Sequence, residues 1–272
     1  MSKTGKFIET IGVIIMLMAI AVFWWETINY TMEDDWFGEE SCNVSNIKLQ
    51  GNLYSYISQA DKDENGITIA DAVSSEDIVR AIENAEWNDS IKAIILEINS
   101  FGGRGVAAEE VANALKRAKK PTVALIRDNA NSAAYWSATG SDIIFASASS
   151  DVGSIGVTNS YLDNAEKNET DGITFNQLSA GKFKDMFNSD KPLTDEERKL
   201  IERDLKILHE NFIKAVAENR KMDIEKARQL ADGSSMPGQM ALENGLIDKI
   251  GGRYEVEEYL KEKIGEEVEI CR

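Results

Sequence analysis

Lys92-Ala-Ile-Ile-Leu-Glu-Ile98 runs directly into Asn99-Ser-Phe-Gly-Gly-Arg-Gly105, and the fold is decided at that junction. The first stretch is nearly continuous in β-formers, as a strand covered on both faces must be. The glycines close it, and a helix-length segment over 104–118 follows. Working outward, strands are expected at 47–51, 91–98, 122–127, 142–146, 154–158 and 173–178. Helices are expected at 74–86, 104–118, 133–140, 160–168, 194–220, 223–231, 237–244 and 253–263. Strands separated by helix-length segments imply βαβ units and an α/β fold.

The 272 residues allow one large domain or two small ones, and 43% hydrophobic content excludes a disordered or fibrous chain. Forty-seven acidic residues against 30 basic ones leave a net charge of −17. Such a surface repels phosphate backbones and argues against nucleic acid as a partner. Two cysteines cannot build a four-thiolate zinc site, and a single histidine cannot supply a His-rich metal centre. That histidine, His209, is also the sole imidazole available to any Ser-His-Asp triad.

Lys3 and Lys6 precede a greasy stretch over residues 7–25, and Glu33, Asp34, Asp35, Glu39 and Glu40 follow it. At a helical rise of ~1.5 Å the stretch spans roughly 28 Å, near the hydrocarbon thickness of a bilayer. Trp24, Trp25 and Tyr30 fall where an aromatic belt would lie. The segment 1–30 therefore reads as an N-terminal membrane anchor, with its N-terminus in the cytoplasm and the remainder outside. A cleaved signal peptide is the rival, because Ala19-Ile20-Ala21 is a small-x-small triplet. The Val-Phe-Trp-Trp that follows is poor cleavage context. Residues 31–45 read as an acidic stalk and 46–272 as the folded domain. Cys42 and Cys271 bracket that domain, either as a bridge or as two inert thiols.

Thr194 with Glu197 three residues on is a capping box. The following helix is expected to bury Ile201, Leu205, Leu208, Phe212 and Val216 on one face, with His209 at its boundary. Asp61-Lys-Asp-Glu-Asn-Gly66 imitates the first half of a calcium loop. Ala72 stands where its bidentate Glu is needed, so a polar hairpin tip fits better.

Three segments look built for chemistry. The glycines of Asn99–Gly105 allow backbone N–H groups to approach a ligand. Ser132, in Asn129-Ala-Asn-Ser-Ala-Ala-Tyr-Trp136, falls at a helix start; it is either a cap or a nucleophile favoured by the helix's positive end. Leu178-Ser-Ala-Gly-Lys-Phe-Lys-Asp185 carries two lysines on a glycine turn. A lysine in a poorly hydrated cleft can accept a serine proton.

In this order the segments resemble the signal peptide peptidase A (SppA, protease IV-like) family of membrane-anchored Ser-Lys serine proteases. Asn99-Ser-Phe-Gly-Gly103 is similar to its NSPGG turn, and Asn131-Ser-Ala-Ala-Tyr135 to its A-S-G-G-Y segment. Val152-Gly-Ser-Ile-Gly-Val157, Ser179–Asp185 and Ala231-Asp-Gly233 through Asp248 are similar to three further family stretches. The resemblance implies a ClpP/crotonase-like fold of repeated β-β-α units with a helical C-terminal extension. It makes Ser132 the nucleophile and Lys184 the base, chosen over Lys182 because it directly precedes Asp185. The oxyanion donors would be the N–H groups of Gly103 and Ala133, with Gly102 the alternative. Phe101 replaces the family's proline and Ala133-Ala134 its two glycines. The implied activity is hydrolysis of signal-peptide remnants or other extended peptides outside the cytoplasmic membrane, with no metal or cofactor. A homo-oligomer is implied too, with the dyad formed within or between subunits. The rivals are a catalytically silent membrane scaffold and a crotonase-like acyl-CoA enzyme.

Overall fold

The computed structural model describes Met16, residues 42–58 and residues 71–271. Apart from Met16, the expected anchor at 1–30 lies outside the described residues, as do the stalk up to residue 41 and the Asp61–Gly66 loop. Among the described residues no helix is long and apolar enough to cross a membrane. Cys42 and Cys271 form a disulfide, which resolves the alternative of two inert thiols.

The described residues between 43 and 270 form an eight-stranded sheet flanked by helices. The strands are β1 (Val44–Tyr54), β2 (Ala72–Ser74), β3 (Ala93–Gly103), β4 (Thr122–Asn131), β5 (Ile143–Ala146), β6 (Asp151–Gly153), β7 (Ser235–Pro237) and β8 (Lys249–Ile250). The helices are α1 (Ser75–Trp87), α2 (Gly105–Arg117), α3 (Ala133–Ala138), α4 (Ala165–Thr170), α5 (Asp195–Asn219), α6 (Ile224–Gln229), α7 (Gly238–Asn244) and α8 (Arg253–Ile264). The sheet runs β2-β1-β3-β4-β5-β8, all neighbours parallel. Past Ile126, β4 exchanges β5 for β6, which in turn pairs antiparallel with β7. The α/β expectation with a largely parallel sheet is met.

β3 explains the continuous apolar run: Ala93 through Ile98 are all buried. Ala93 and Ile95 join Val44, Val123, Leu125 and Phe145 in a cluster closed by Val256 and Leu260 of α8. Ile94, Leu96 and Ile98 point the other way, to the side where α1 and α3 pack. Glu97 shares the α8 face and is buried there. It accepts hydrogen bonds from Asn46 Nδ2 (2.9 Å) and Arg127 Nη1 (3.1 Å) and pairs with Arg253. The two guanidiniums and the amide give both oxygens of this buried carboxylate a partner.

Several expectations need correction. Residues 173–178 form no strand, and Ile173 and Leu178 are exposed, because no described element covers them. The strand expected at 154–158 lies instead at Asp151–Gly153. Gly153 and Ser154 both take positive φ and turn the chain out of the ladder just where the apolar run begins. The helix expected at 160–168 starts late, at Ala165, behind the Asn164 cap. The expected buried stripe of α5 holds for Phe212 and Val216. Ile201 and Leu205 are half-buried, and Leu208 is exposed.

The α5 capping box is present, with Thr194 Oγ1 accepting from Glu197 N–H and Glu197 Oε2 accepting from Thr194 N–H. Lys191 Nζ adds an ion pair to Glu197 at 2.7 Å. Hydrogen bonding from Lys191 first, and then from the Thr194 backbone, holds the Glu197 carboxyl at about 2, down from 4.5. Because this value is depressed on folding, its stabilisation is present above pH ~4.5 and lost as pH falls towards ~2. Glu197→Gln should cost about 1–2 kcal/mol at neutral pH. In thermal melts against pH, the gap to the parent should be constant above pH ~4.5 and vanish near pH ~2; a gap that persists at pH ~2 contradicts this role.

Candidate active site

Strand β3 ends at Gly103 and β4 at Asn131, and the sheet register brings the two ends together, with Ser100 opposite Ala130. Register irregularities fall at Gln50/Asn52 and Ile98/Ser100. The ladder is therefore interrupted at the carboxyl edge of a parallel sheet, where α/β folds place their ligands.

Ser132 links β4 to α3. It adopts φ 53° and ψ −125°, and its side chain makes no cap hydrogen bond. Of the two readings open from sequence, the cap therefore fails. Its backbone is fixed on both sides: its N–H donates to Gly153 O (2.8 Å), and its C=O accepts from Trp136 N–H (3.0 Å). A non-glycine residue held at such a φ stores about 1–3 kcal/mol, and strained strand-to-helix serines present their hydroxyl outward. Helix α3 is itself pinned by Tyr135, which is fully buried and donates its hydroxyl to Leu246 O at 2.9 Å. Burial pushes that phenol's pKa well above its ordinary value.

The β3 turn lies against Ser132. A Cβ on Gly102 would stand 2.9 Å from both Asn131 O and Ser132 Cβ, and 3.2 Å from Ala133 N. No side chain fits there, and φ 118° at Gly102 independently requires glycine. Gly102 N–H is already given to Ser100 Oγ at 3.0 Å. Gly103 carries no such side-chain bond, and it lines the cleft together with Ser132 and Ala133.

That cleft has a volume of about 730 Å³. One wall is Trp136 of α3 stacked on Phe212 of α5, with ring centroids 4.8 Å apart. Polar residues that sequence reasoning did not bring to the site also line it, among them Arg104, Glu109, Asp232 and His209. Asp232 accepts from Ser234 Oγ and N–H (2.6 and 2.8 Å), which hold its carboxyl below the usual range. His209 Nε2 lies 3.3 Å from Ile155 O, so the expected boundary position is on the wall of the cleft. The helical offset of three from Phe212 could have signalled this once Phe212 was known to reach the site.

Lys184 is placed differently. It sits in an exposed turn, its N–H bonded to Gly181 O (3.1 Å), and it is not part of the cleft that Ser132 lines. Among the described residues its ammonium pairs with no carboxylate, whereas Lys182 is engaged by Glu196 at 2.5 Å. The structure thus gathers Ser132, Ala133 and Gly103 in one cleft, with Gly102 behind them, and leaves Lys184 apart within its own chain.

The strain at Ser132 is measurable. Ser132→Gly should be more stable than Ser132→Ala by about 1 kcal/mol in urea unfolding, because glycine alone relaxes at this φ. Equal stability of the two variants contradicts a strained serine.

The peptidase family S49 profile matches residues 114–267, a span that contains Ser132, Lys184 and the α5 wall. An Enterococcus faecium protein provisionally named signal peptide peptidase SppA is 31% identical over 195 residues, covering 71% of this chain and 57% of its own length. A provisionally named protease of Methanocaldococcus jannaschii is 30% identical over 219 residues, 80% of this chain and 68% of its own. The Arabidopsis thaliana protein named serine protease SPPA, chloroplastic, is 29% identical over 188 residues, 68% of this chain and 28% of its own. The chain thus spans little more than half of the first of these relatives. A profile match over more than half the sequence, with a strained serine at the mouth of a cleft inside it, makes the chain a member of peptidase family S49.

Proposed function

We propose that this protein is a membrane-anchored serine endopeptidase that cuts extended peptides, signal-peptide remnants among them, outside the cytoplasmic membrane. Ser132 is the nucleophile and Lys184 the general base. The observation that carries the reading is Ser132 itself, strained, uncapped and open to the cleft beside Gly103.

In the reaction, the Lys184 side-chain nitrogen takes the Ser132 Oγ proton as Oγ attacks the peptide carbonyl. The oxyanion accepts hydrogen bonds from Gly103 and Ala133 N–H. Collapse breaks the C–N bond, and the leaving amine takes the proton held by the Lys184 ammonium. Water, deprotonated by the Lys184 amine, then attacks the acyl-enzyme carbonyl, and Lys184 returns that proton to Ser132 Oγ as the acid is released. Gly103 is preferred over Gly102 because Gly102 N–H is already bonded to Ser100.

The position of Lys184 favours a dyad completed by a second copy of the chain. The segment that carries it leaves Leu162 78% and Leu178 97% exposed, an apolar surface suited to burial between subunits. The Cys42–Cys271 disulfide supports an oxidising compartment outside the cytoplasm. Names of relatives that specify a signal peptide peptidase support the substrate class.

A fluorophosphonate probe should label the full-length protein at Ser132, and Ser132→Ala should abolish both labelling and peptide hydrolysis. Undiminished labelling in that variant contradicts the assignment. Lys184→Ala should be folded and inactive. Co-assembling equal amounts of Ser132→Ala and Lys184→Ala should restore roughly a quarter of parental activity, because half the serines then meet an intact lysine from a neighbour. No restoration in a confirmed mixed assembly contradicts the shared dyad.

A further inference from the structure

We infer that Arg104 selects a substrate carboxylate, an Asp or Glu side chain close to the scissile bond; this rests on the reading of Ser132 as nucleophile. Arg104 directly follows Gly103, and its backbone N–H is fixed to Leu53 O at 2.8 Å. The Gly102 backbone abuts Ser132, so the side chain of Arg104 emerges two residues from that contact, in the wall of the same cleft.

Its charge is uncommitted. Arg80, Arg127, Arg203, Arg220, Arg228 and Arg253 each pair with a carboxylate. Arg104, like Arg117 and Arg198, forms no ion pair among the described residues, in a chain whose net charge is −17, and of these three it is the one that lines the cleft of Ser132. Nor does its side chain cap a helix, although it stands at the N-cap of α2. A guanidinium left free amid excess carboxylates, on the wall of a cleft, is placed for a ligand more than for the fold. Asp232 and Glu109 also line the cleft, and their carboxylates are the groups that oppose this preference; Asp232 Oδ1 accepts from Ser234, and neither carboxylate forms an ion pair with Arg104. The reach of an arginine side chain, roughly 6 Å, covers about two residues of an extended peptide at ~3.3 Å each.

The test uses full-length protein in detergent and fluorogenic peptides identical except for Glu, Gln or Lys, placed in turn at the positions within about two residues of the cleaved bond. At one of these positions the Glu peptide should show roughly tenfold higher kcat/KM than its Gln counterpart. That ratio should fall towards one in Arg104→Gln and in high salt, and Arg104→Glu should favour the Lys peptide. A parental ratio near one at every position, or a ratio that survives in Arg104→Gln, overturns the inference. So does a parental preference for Lys that Glu109→Gln abolishes. If Arg104→Gln does not fold, the salt response decides, and a salt-insensitive ratio overturns it. Fluorophosphonate labelling separates the two levels. With labelling intact, a flat ratio removes only the role of Arg104; loss of labelling and cleavage together removes the nucleophile reading and this inference with it.

Discussion

The site depends on a contact in which there is no room for a side chain. The backbone of Gly102, at the end of β3, lies so close to Asn131, Ser132 and Ala133 that even a methyl group at that position would collide. The two strand ends can meet so closely only because β3 and β4 are neighbours in a parallel sheet and both are released from regular pairing at their carboxyl ends. The same approach puts a glycine turn and the start of α3 on either side of one small volume. Ser132 is the residue that absorbs the resulting geometry, with a backbone conformation that serine adopts only under constraint. Its anchors are distributed: Gly153 on one side, Trp136 on the other, and Tyr135 sealed below α3. The energy that holds the serine open thus comes from the whole sheet core and not from the site alone.

That division explains what could be read in advance. β3 was legible because both its faces are buried and its run is therefore almost unbroken in apolar residues. α5 was legible at its start because Thr194 and Glu197 satisfy each other locally. The short strands β2, β6, β7 and β8 were not, because partners distant in sequence create them and their own two or three residues carry no period. Residues 173–178 misled for the opposite reason: they carry strand-like apolar residues without a neighbour among the described residues to pair with. At the site, residue types identified Ser132 as a candidate, but only its dihedrals and its uncapped hydroxyl exclude the reading as a helix cap. Choosing between Gly102 and Gly103 likewise required the bond from Gly102 to Ser100. Arg104 and His209 carried no local signal, since their meaning comes from facing a cleft built by other elements.

The architecture also separates a rigid half of the chemistry from an outlying half. Ser132, the proposed nucleophile, and the proposed backbone donors are built into the carboxyl edge of the sheet, where small shifts are expensive. The lysine is carried on an exposed turn with apolar neighbours that nothing in the described chain covers.

The most direct measurement is a structure of the full-length assembly after reaction with a peptidyl phosphonate. The account predicts a covalent bond to Ser132 Oγ, the phosphonyl oxygen within hydrogen-bonding distance of the Gly103 and Ala133 N–H groups, and the ammonium of Lys184 from an adjacent copy beside the modified oxygen. An adduct on another residue, or a phosphonyl oxygen turned away from both N–H groups, would contradict it.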